Sequence, residues 1–212
     1  MTLLVRAGVD VRLTGSPGTT HDDVAEALAE LYVAVFTRRG DGEAEHAENI
    51  RRVLDVEPDF APDNSGDLTI ELLNRGVPAT YLGGTEETTT GGLRLRETPH
   101  ELGRPVFVIN DSRLKLLVEN EFGVDQSVVQ GFLNATNLMA PGVRAAVLGY
   151  GPCGKGVADT LSRLGARVSV CDIDPMRALE AILNGHRVST TAEVVADAQL
   201  VFTATGRPGG AG

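Results

Sequence analysis

Tryptophan is absent, and aromatic residues make up only 4% of the 212 residues. That is too few for the stacking platforms that hold single-stranded nucleic acid. Basic residues are scarce as well. Nineteen Lys and Arg face 29 Asp and Glu, a net charge of −10, whereas a binder of the phosphate backbone needs the opposite sign. No apolar run approaches the roughly 20 residues that cross a bilayer. No signal-type segment opens the chain, so neither a membrane nor export is expected. The two cysteines, Cys153 and Cys171, cannot build a disulfide framework or a four-ligand zinc site. A reduced, cytoplasmic setting follows, with both thiols expected as small buried apolar groups. His21, His46, His100 and His186 lie far apart without ligand spacing, so no metal site is expected.

What is present is globular: 42% hydrophobic and 23% charged residues, enough for a buried core. The length suits one large domain or two small ones. Glycine is in excess, at 25 residues, which marks tight turns and close backbone approach.

Two-residue and 3.6-residue periodicities alternate along the chain. The spacing predicts strands over 9–13, 32–36, 79–82 and 105–109. It predicts helices from a Thr20 cap through Leu31, with Val24, Leu28 and Leu31 on one face, and over 41–54, with Ala47, Ile50 and Leu54 inward. Asp63-Asn64-Ser65-Gly66-Asp67 is turn chemistry, followed by a helix over 68–74. Residues 85–92 read as a polar, Thr-rich loop. From 112 to about 139 the pattern is helical with a break near Gly123. Strands over 145–148, 168–171 and 200–204 are separated by helices over about 155–164 and 176–184. This alternation implies an α/β fold with parallel sheets and right-handed crossovers. Only the end, residues 209–212, is low in complexity.

Gly149-Tyr150-Gly151-Pro152-Cys153-Gly154 is a G-x-G-x-x-G element directly after an apolar strand. Gly149 permits the tight turn, Gly151 lets the backbone approach a pyrophosphate, and Gly154 lets helix and strand pack closely. The phosphates would rest on the helix N-terminus. Asp172 ends the next strand, where an acid accepts from the ribose hydroxyls and repels a 2′-phosphate, so NAD is expected over NADP. Arg177 is the counterweight, since a nearby Arg can accommodate that phosphate. The competing readings are a glycine-rich turn without cofactor and a phosphate loop. The latter is rejected because Gly156 stands where Ser or Thr must hold Mg²⁺. Residues 144–206 supply three expected strands, one half of a doubly wound fold.

Two further groups stand out. Lys115 and Glu119 lie four residues apart on a predicted helix, with Asn120 next. They form either a solvated surface pair or a proton-handling pair. Glu86-Glu87-Thr88-Thr89-Thr90 is either a helix-start cap or a ligand loop.

Several segments together resemble the S-adenosyl-L-homocysteine hydrolase family. They are Glu86-Glu87-Thr88-Thr89-Thr90-Gly91; Val108-Ile109-Asn110-Asp111-Ser112 with Lys115; Glu119-Asn120; and Ala135-Thr136-Asn137. The glycine-rich run Gly149 to Gly156 and Asp172-Ile173-Asp174-Pro175 complete the set. The resemblance implies reversible hydrolysis of S-adenosylhomocysteine to adenosine and homocysteine, with bound NAD as cofactor. In that scheme the ribose 3′-hydroxyl is oxidised temporarily, the 4′ C–H becomes acidic, and homocysteine leaves by elimination. It further implies Lys115 and Glu119 at the 3′-hydroxyl as catalytic and substrate-binding residues, with Asn64 and Glu87 at the substrate. Thr88, Thr89, Thr90 and Asn120 would serve the nicotinamide side. Gly149, Gly151, Pro152, Cys153, Gly154, Lys155 and Gly156 would hold the pyrophosphate, and Asp172 the ribose beside Arg177.

The chain departs from the family pattern at four of these places. Asn64 replaces the second acid of Asp-Asp-Gly-Gly-Asp, and an amide cannot act as a base. Glu119 replaces an Asp, Asp172 a Glu, and Arg177 an Asn. The implied layout is a partial substrate-binding domain over 1–110, a hinge region over 111–125, and part of a doubly wound NAD-binding domain over 126–212. The expectation is the central part of a cytoplasmic homo-oligomeric enzyme, inactive as this segment alone. A nucleotide-binding regulatory paralogue and a different NAD-dependent nucleoside oxidoreductase stand as alternatives.

Overall fold

A computed structural model of the chain describes residues 1–99 and 101–206. His100 and the glycine-rich stretch 209–212 lie outside the described residues. The chain divides into two compact units, Met1–Val108 and Ile109–Gly212.

The first unit opens with a short helix the sequence did not announce, α1 (Thr2–Arg6). The strand expected over 9–13 shrinks to β1 (Arg12–Leu13), which pairs in parallel with β2 (Ala34–Val35). Between them runs α2 (Asp22–Glu30), and here the expected cap is corrected. His21 occupies the N-cap, while the Thr20 hydroxyl donates back to the Ser16 carbonyl at 2.7 Å. Val24 and Leu31 stay exposed, so the supposed inward face of α2 is not a core face. Tyr32 lies outside the strand because it takes a left-handed φ of 64°. In α3 (Glu43–Leu54) the periodicity holds: Ile50, Val53 and Leu54 are buried.

Next come β3 (Phe60–Asp63), α4 (Asp67–Arg75), β4 (Gly83–Glu86), α5 (Thr89–Glu97) and β5 (Val106–Val108). The three strands form a parallel sheet in the order β3-β4-β5. The strand expected over 79–82 is a turn, and the true strand begins at Gly83. Tyr81, wholly buried, gave the turn its apolar look, and two glycines hid the strand behind their poor β propensity. Those glycines are needed. A Cβ on Gly84 would lie 2.8 Å from the Tyr81 hydroxyl and would overlap the Ala61 carbonyl. The polar loop expected over 85–92 is likewise corrected: Thr85 and Glu86 finish β4, and Thr89 starts α5.

The second unit begins with a 3-10 turn (Ile109–Asp111), the helical turn α6 (Arg113–Lys115), a π-helix (Leu116–Gly123) and α7 (Val124–Thr136). The expected break near Gly123 does not occur. Gly123 keeps helical dihedrals, φ −81° and ψ −47°, and the chain passes from π to α without interruption. Alternating elements follow: β6 (Arg144–Leu148), α8 (Pro152–Arg163), β7 (Arg167–Cys171), α9 (Pro175–Leu183), β8 (Arg187–Val188), α10 (Thr191–Asp197) and β9 (Leu200–Thr203). All pairings are parallel, in the order β8-β7-β6-β9. The expectation of three strands is therefore corrected to four among the described residues. The two-residue β8 is too short for a periodic signal. The chain crosses from one side of β6 to the other, which creates the switch point at which doubly wound sheets bind nucleotides. Val147, Val170, Ala158, Leu161 and Ala181 pack the core under this sheet.

Candidate nucleotide and substrate site

The turn after β6 shows why each glycine is there. Gly149 has φ +97°, and a Cβ on it would sit 2.7 Å from the Ala204 carbonyl. A Cβ on Gly154 would overlap the Gly149 carbonyl, so α8 approaches β6 backbone to backbone. Gly151 differs. The nearest atom to its Cβ position within the unit is the Arg177 Nη1 at 3.4 Å. Gly151 is also the N-cap of α8 and supplies no side-chain acceptor. The first N–H groups of a twelve-residue helix thus meet an open backbone, the arrangement that accepts an anion. Pro152 opens the helix at no hydrogen-bond cost, since its missing N–H would have been unsatisfied there.

Asp172 follows β7 as expected, with its side chain only 5% exposed. Its two oxygens are fixed by backbone donors, Tyr150 N at 2.5 Å and Asp174 N at 2.8 Å. The acid therefore clamps the glycine turn, in a position fixed before any ligand arrives. Arg177 lies 4.0 Å from Asp172 and 3.7 Å from Asp174. Lys155 is held between Glu121 at 3.2 Å and Glu180 at 3.1 Å. Burial alone would lower its pKa, but the two carboxylates outweigh burial and raise it. Gly156 faces the π-helix: a Cβ there would overlap the Glu121 carbonyl and lie 2.8 Å from the Asp125 Cβ. Lys155 and Gly156 thus seat α8 against the π-helix.

That π-helix builds the second cluster. At about 4.4 residues per turn, residues i+4 and i+5 flank residue i on one face. In an α-helix, residue i+5 would lie roughly 140° away. Glu119 and Asn120 accordingly both meet Lys115. Its Nζ lies 3.2 Å from Glu119 Oε1, and it donates to Asn120 Oδ1 at 3.0 Å and to Asn110 Oδ1 at 3.3 Å. Asn120 Nδ2 donates to Asn110 Oδ1 at 2.9 Å, which ties the two amides together. Lys115 is 12% exposed, Glu119 49%. One face of the amine is fixed by amides while the carboxylate reaches solvent. The helix that follows the glycine turn adjoins the π-helix that carries this cluster, since a Cβ on Gly156 would overlap the Glu121 carbonyl. Burial raises the Cys153 thiol pKa, the Lys115 charge lowers it, and the Glu119 charge raises it. Cys153 and Cys171 are half-buried free thiols, less enclosed than expected.

In the first unit, Asn64 Nδ2 donates to Glu87 Oε2 at 3.3 Å, and Glu87, Thr89 and Thr90 are exposed. Thr88 is the N-cap of α5, accepting from Gly91 N at 2.9 Å. This is the cap reading of the Glu-Thr run. The organiser is a residue the sequence did not single out. Glu86 is wholly buried and accepts from Ser65 N at 3.1 Å, Gly66 N at 2.8 Å, Thr88 N at 2.7 Å and Thr88 Oγ1 at 2.7 Å. It thereby joins the Asn64 turn to the Glu87 loop. Asp63 assists by accepting from Asn64, Leu68 and Thr69 backbone N–H groups. Burial raises the Asp63 pKa, against the pull of the Thr69 and Leu68 hydrogen bonds, and the Glu86 charge adds to the rise.

Residues 120–209 match the family model described as "S-adenosyl-L-homocysteine hydrolase, NAD binding domain". Across 96% of its length the chain is 41% identical to an adenosylhomocysteinase of Thermoplasma acidophilum and 42% identical to one of Thermotoga maritima. The chain is similar to the adenosylhomocysteinases. It spans about half the length of these curated relatives, 51% and 52% respectively. An S-inosyl-L-homocysteine hydrolase of Methanopyrus kandleri is 39% identical over the same share of the chain, which covers 49% of that protein.

The adenosylhomocysteinase-like segments fall into sets, each gathered within its own unit. Asn64, Glu87 and Thr88 to Thr90 belong to the first. Lys115, Glu119, Asn120, the glycine turn, Asp172 and Arg177 belong to the second. Glu86, Asp63 and Asn110 were missed as members. Glu86 carried a signal in its place at the end of a parallel strand, but the neighbouring Glu87 drew the attention. Asn110 stood within the Val108–Ser112 segment, but no role was assigned to it; its place beside Lys115 follows from the π-helix, which brings Asn120 to it.

Proposed function

We propose that the protein carrying this chain hydrolyses S-adenosyl-L-homocysteine to adenosine and L-homocysteine with bound NAD. The observation that carries the proposal is the Lys115 amine, fixed by Asn110 and Asn120 and paired with Glu119 beside a glycine turn open at Gly151. The residues fit the cofactor: Gly151 leaves room for a pyrophosphate, the α8 N-terminus offers free donors, and Asp172 is already aimed by two backbone bonds. When bound, NAD supplies a temporary oxidant for the ribose 3′-hydroxyl.

The chain's own residues do the rest. Lys115 passes one proton to Glu119 and, as the free amine, takes and later returns the 3′-hydroxyl proton, while Glu119, exposed on one side, exchanges its own proton with water. Asn110 and Asn120 hold the amine in place, so orientation is fixed before substrate binds. Glu87 accepts from sugar hydroxyls, and Asn64 orients Glu87 as a donor, a role an amide can fill although it cannot serve as a base. Thr89 and Thr90 offer hydroxyls to the cofactor. Residues 1–110 would act as the substrate part, 111–125 as the hinge and 126–212 as the NAD part. A cytoplasmic setting is supported by the acid excess and the free thiols, and a homo-oligomer by the family likeness. Among the described residues no helix is long and apolar enough to cross a membrane.

The test is thiol release from S-adenosylhomocysteine, with absorbance at 340 nm followed in parallel. Thiol release lost by about 10²–10⁴-fold in Lys115→Ala is the expected result. NAD binding without thiol release would favour the regulatory paralogue. Cofactor reduction without thiol release would favour another nucleoside oxidoreductase. S-inosylhomocysteine in the same assay decides which base is accepted.

A further inference from the structure

At the end of the second unit's sheet opposite the glycine turn, a cleft of about 490 Å³ is lined by Arg144, Arg167 and Arg187. Each is the first residue of its strand, β6, β7 and β8. Arg144 lies in register with Arg167, and Arg187 with Ser169, two residues further along β7. With strands about 4.8 Å apart, the three arginines fan across roughly 10 Å. Among the described residues the only carboxylate lining the cleft is Asp197, which pairs with Arg144 at 3.5 Å and Arg187 at 3.3 Å. Among the described residues Arg167 has no acid partner. Three guanidinium groups against one carboxylate leave a surplus of two positive charges, on a chain whose net charge is −10. The hydroxyls of Ser162 and Ser169 line the same space.

Guanidinium forks match phosphate oxygens in pairs. A fan roughly 10 Å wide exceeds one phosphate group and suits two or three in a row. The volume is that of a small-molecule site. β6 is five residues long, which puts this cleft roughly 13 Å from the dinucleotide end.

We propose that the cleft binds a small soluble polyphosphate, such as a diphosphate or triphosphate ester. The site is separate from the cofactor site. Asp197 holds two of the arginines in place and competes with the ligand for them.

Calorimetric titration of the full chain with inorganic pyrophosphate, at about 0.15 M salt and with saturating NAD, tests this. Saturable binding is expected, weakened at least tenfold by Arg167→Gln and by Arg187→Gln. Asp197→Asn should tighten binding several-fold, a gain that a folding defect cannot imitate. The proposal is overturned by absence of saturable binding, by displacement of pyrophosphate by NAD, by unchanged affinity in both arginine variants, or by Asp197→Asn binding no tighter than the parent.

Discussion

Replacing Glu86 with Gln changes one oxygen to NH₂ and removes a charge without changing the shape. Glu86 Oε1 accepts from three donors and Oε2 from Gly66 N at 2.8 Å. All four donors point at the carboxylate. Whichever way the amide sits, its NH₂ faces at least one N–H. The less damaging orientation sets NH₂ against Gly66 N and keeps the carbonyl on Ser65 and Thr88. That loses one hydrogen bond to a charged acceptor inside the unit, about 1.5–3 kcal/mol, and weakens three others. Ser65 and Gly66 are both left-handed, at φ 72° and 77°, a strain shared by parent and variant that makes the turn open first once its bonds weaken. Of the two only Ser65 carries a cost, about 1–2 kcal/mol, and it is not part of the difference between the two proteins. A total of about 3 kcal/mol is expected. Urea unfolding of Glu86→Gln measures it, and amide exchange of Ser65, Gly66 and Thr88 locates it. These amides should lose protection ahead of the rest of the unit. A stability change under about 0.5 kcal/mol, with those amides still protected, would refute the argument that Glu86 holds the two loops together.

Tyr81 gives a pH prediction. Burial, then the Asp63 charge, pushes its pKa from 10.0 to about 12. The folded state favours the neutral phenol, so the stabilisation is intact below pH 10. It falls as pH rises, by about 1.4 kcal/mol per pH unit and about 2.7 kcal/mol in all by pH 12. Tyr81→Phe should lack this slope, and parallel urea midpoints for the two proteins from pH 9 to 12 would defeat the claim. Gly156→Ala should destabilise by about 3 kcal/mol, although alanine favours an isolated helix by about 1 kcal/mol, because its Cβ meets the π-helix backbone. A higher melting temperature for this variant would falsify the packing. Asn120→Leu should weaken the hold on the Lys115 amine, lowering kcat more than KM and shifting the pH profile of thiol release; an unchanged profile would count against it.

The second unit could be read closely from its residues, and the reasons are local. Its strands are short apolar runs, its glycines sit where backbone meets backbone, and Asp172 follows β7 as the fingerprint requires. The first unit was harder to read. Gly83 and Gly84 look like a turn, yet they are strand residues chosen because Ala61, Tyr81 and Pro105 crowd them. The Thr20 cap failed because its hydroxyl found Ser16 before the helix began. The Lys115 cluster was half visible. Glu119 lies at ordinary helical spacing, but the arrival of Asn120 and Asn110 depends on a helix wound more loosely than side-chain periodicity reveals.

That loose winding makes residues 116–123 a place where fitness and foldability pull apart. A π-turn holds one residue more than the α-turn it replaces. Deleting Val118 would therefore let the ladder close into regular α-helix and relieve the looser hydrogen bonding. The shortened protein would be expected to melt no earlier. It would also bring Asn120 to within four residues of Lys115 and carry Glu119 to a different bearing. A tidier helix would thus come at the expense of the Lys115 cluster, because the contacts of Asn120 with Lys115 and Asn110 rest on the looser winding.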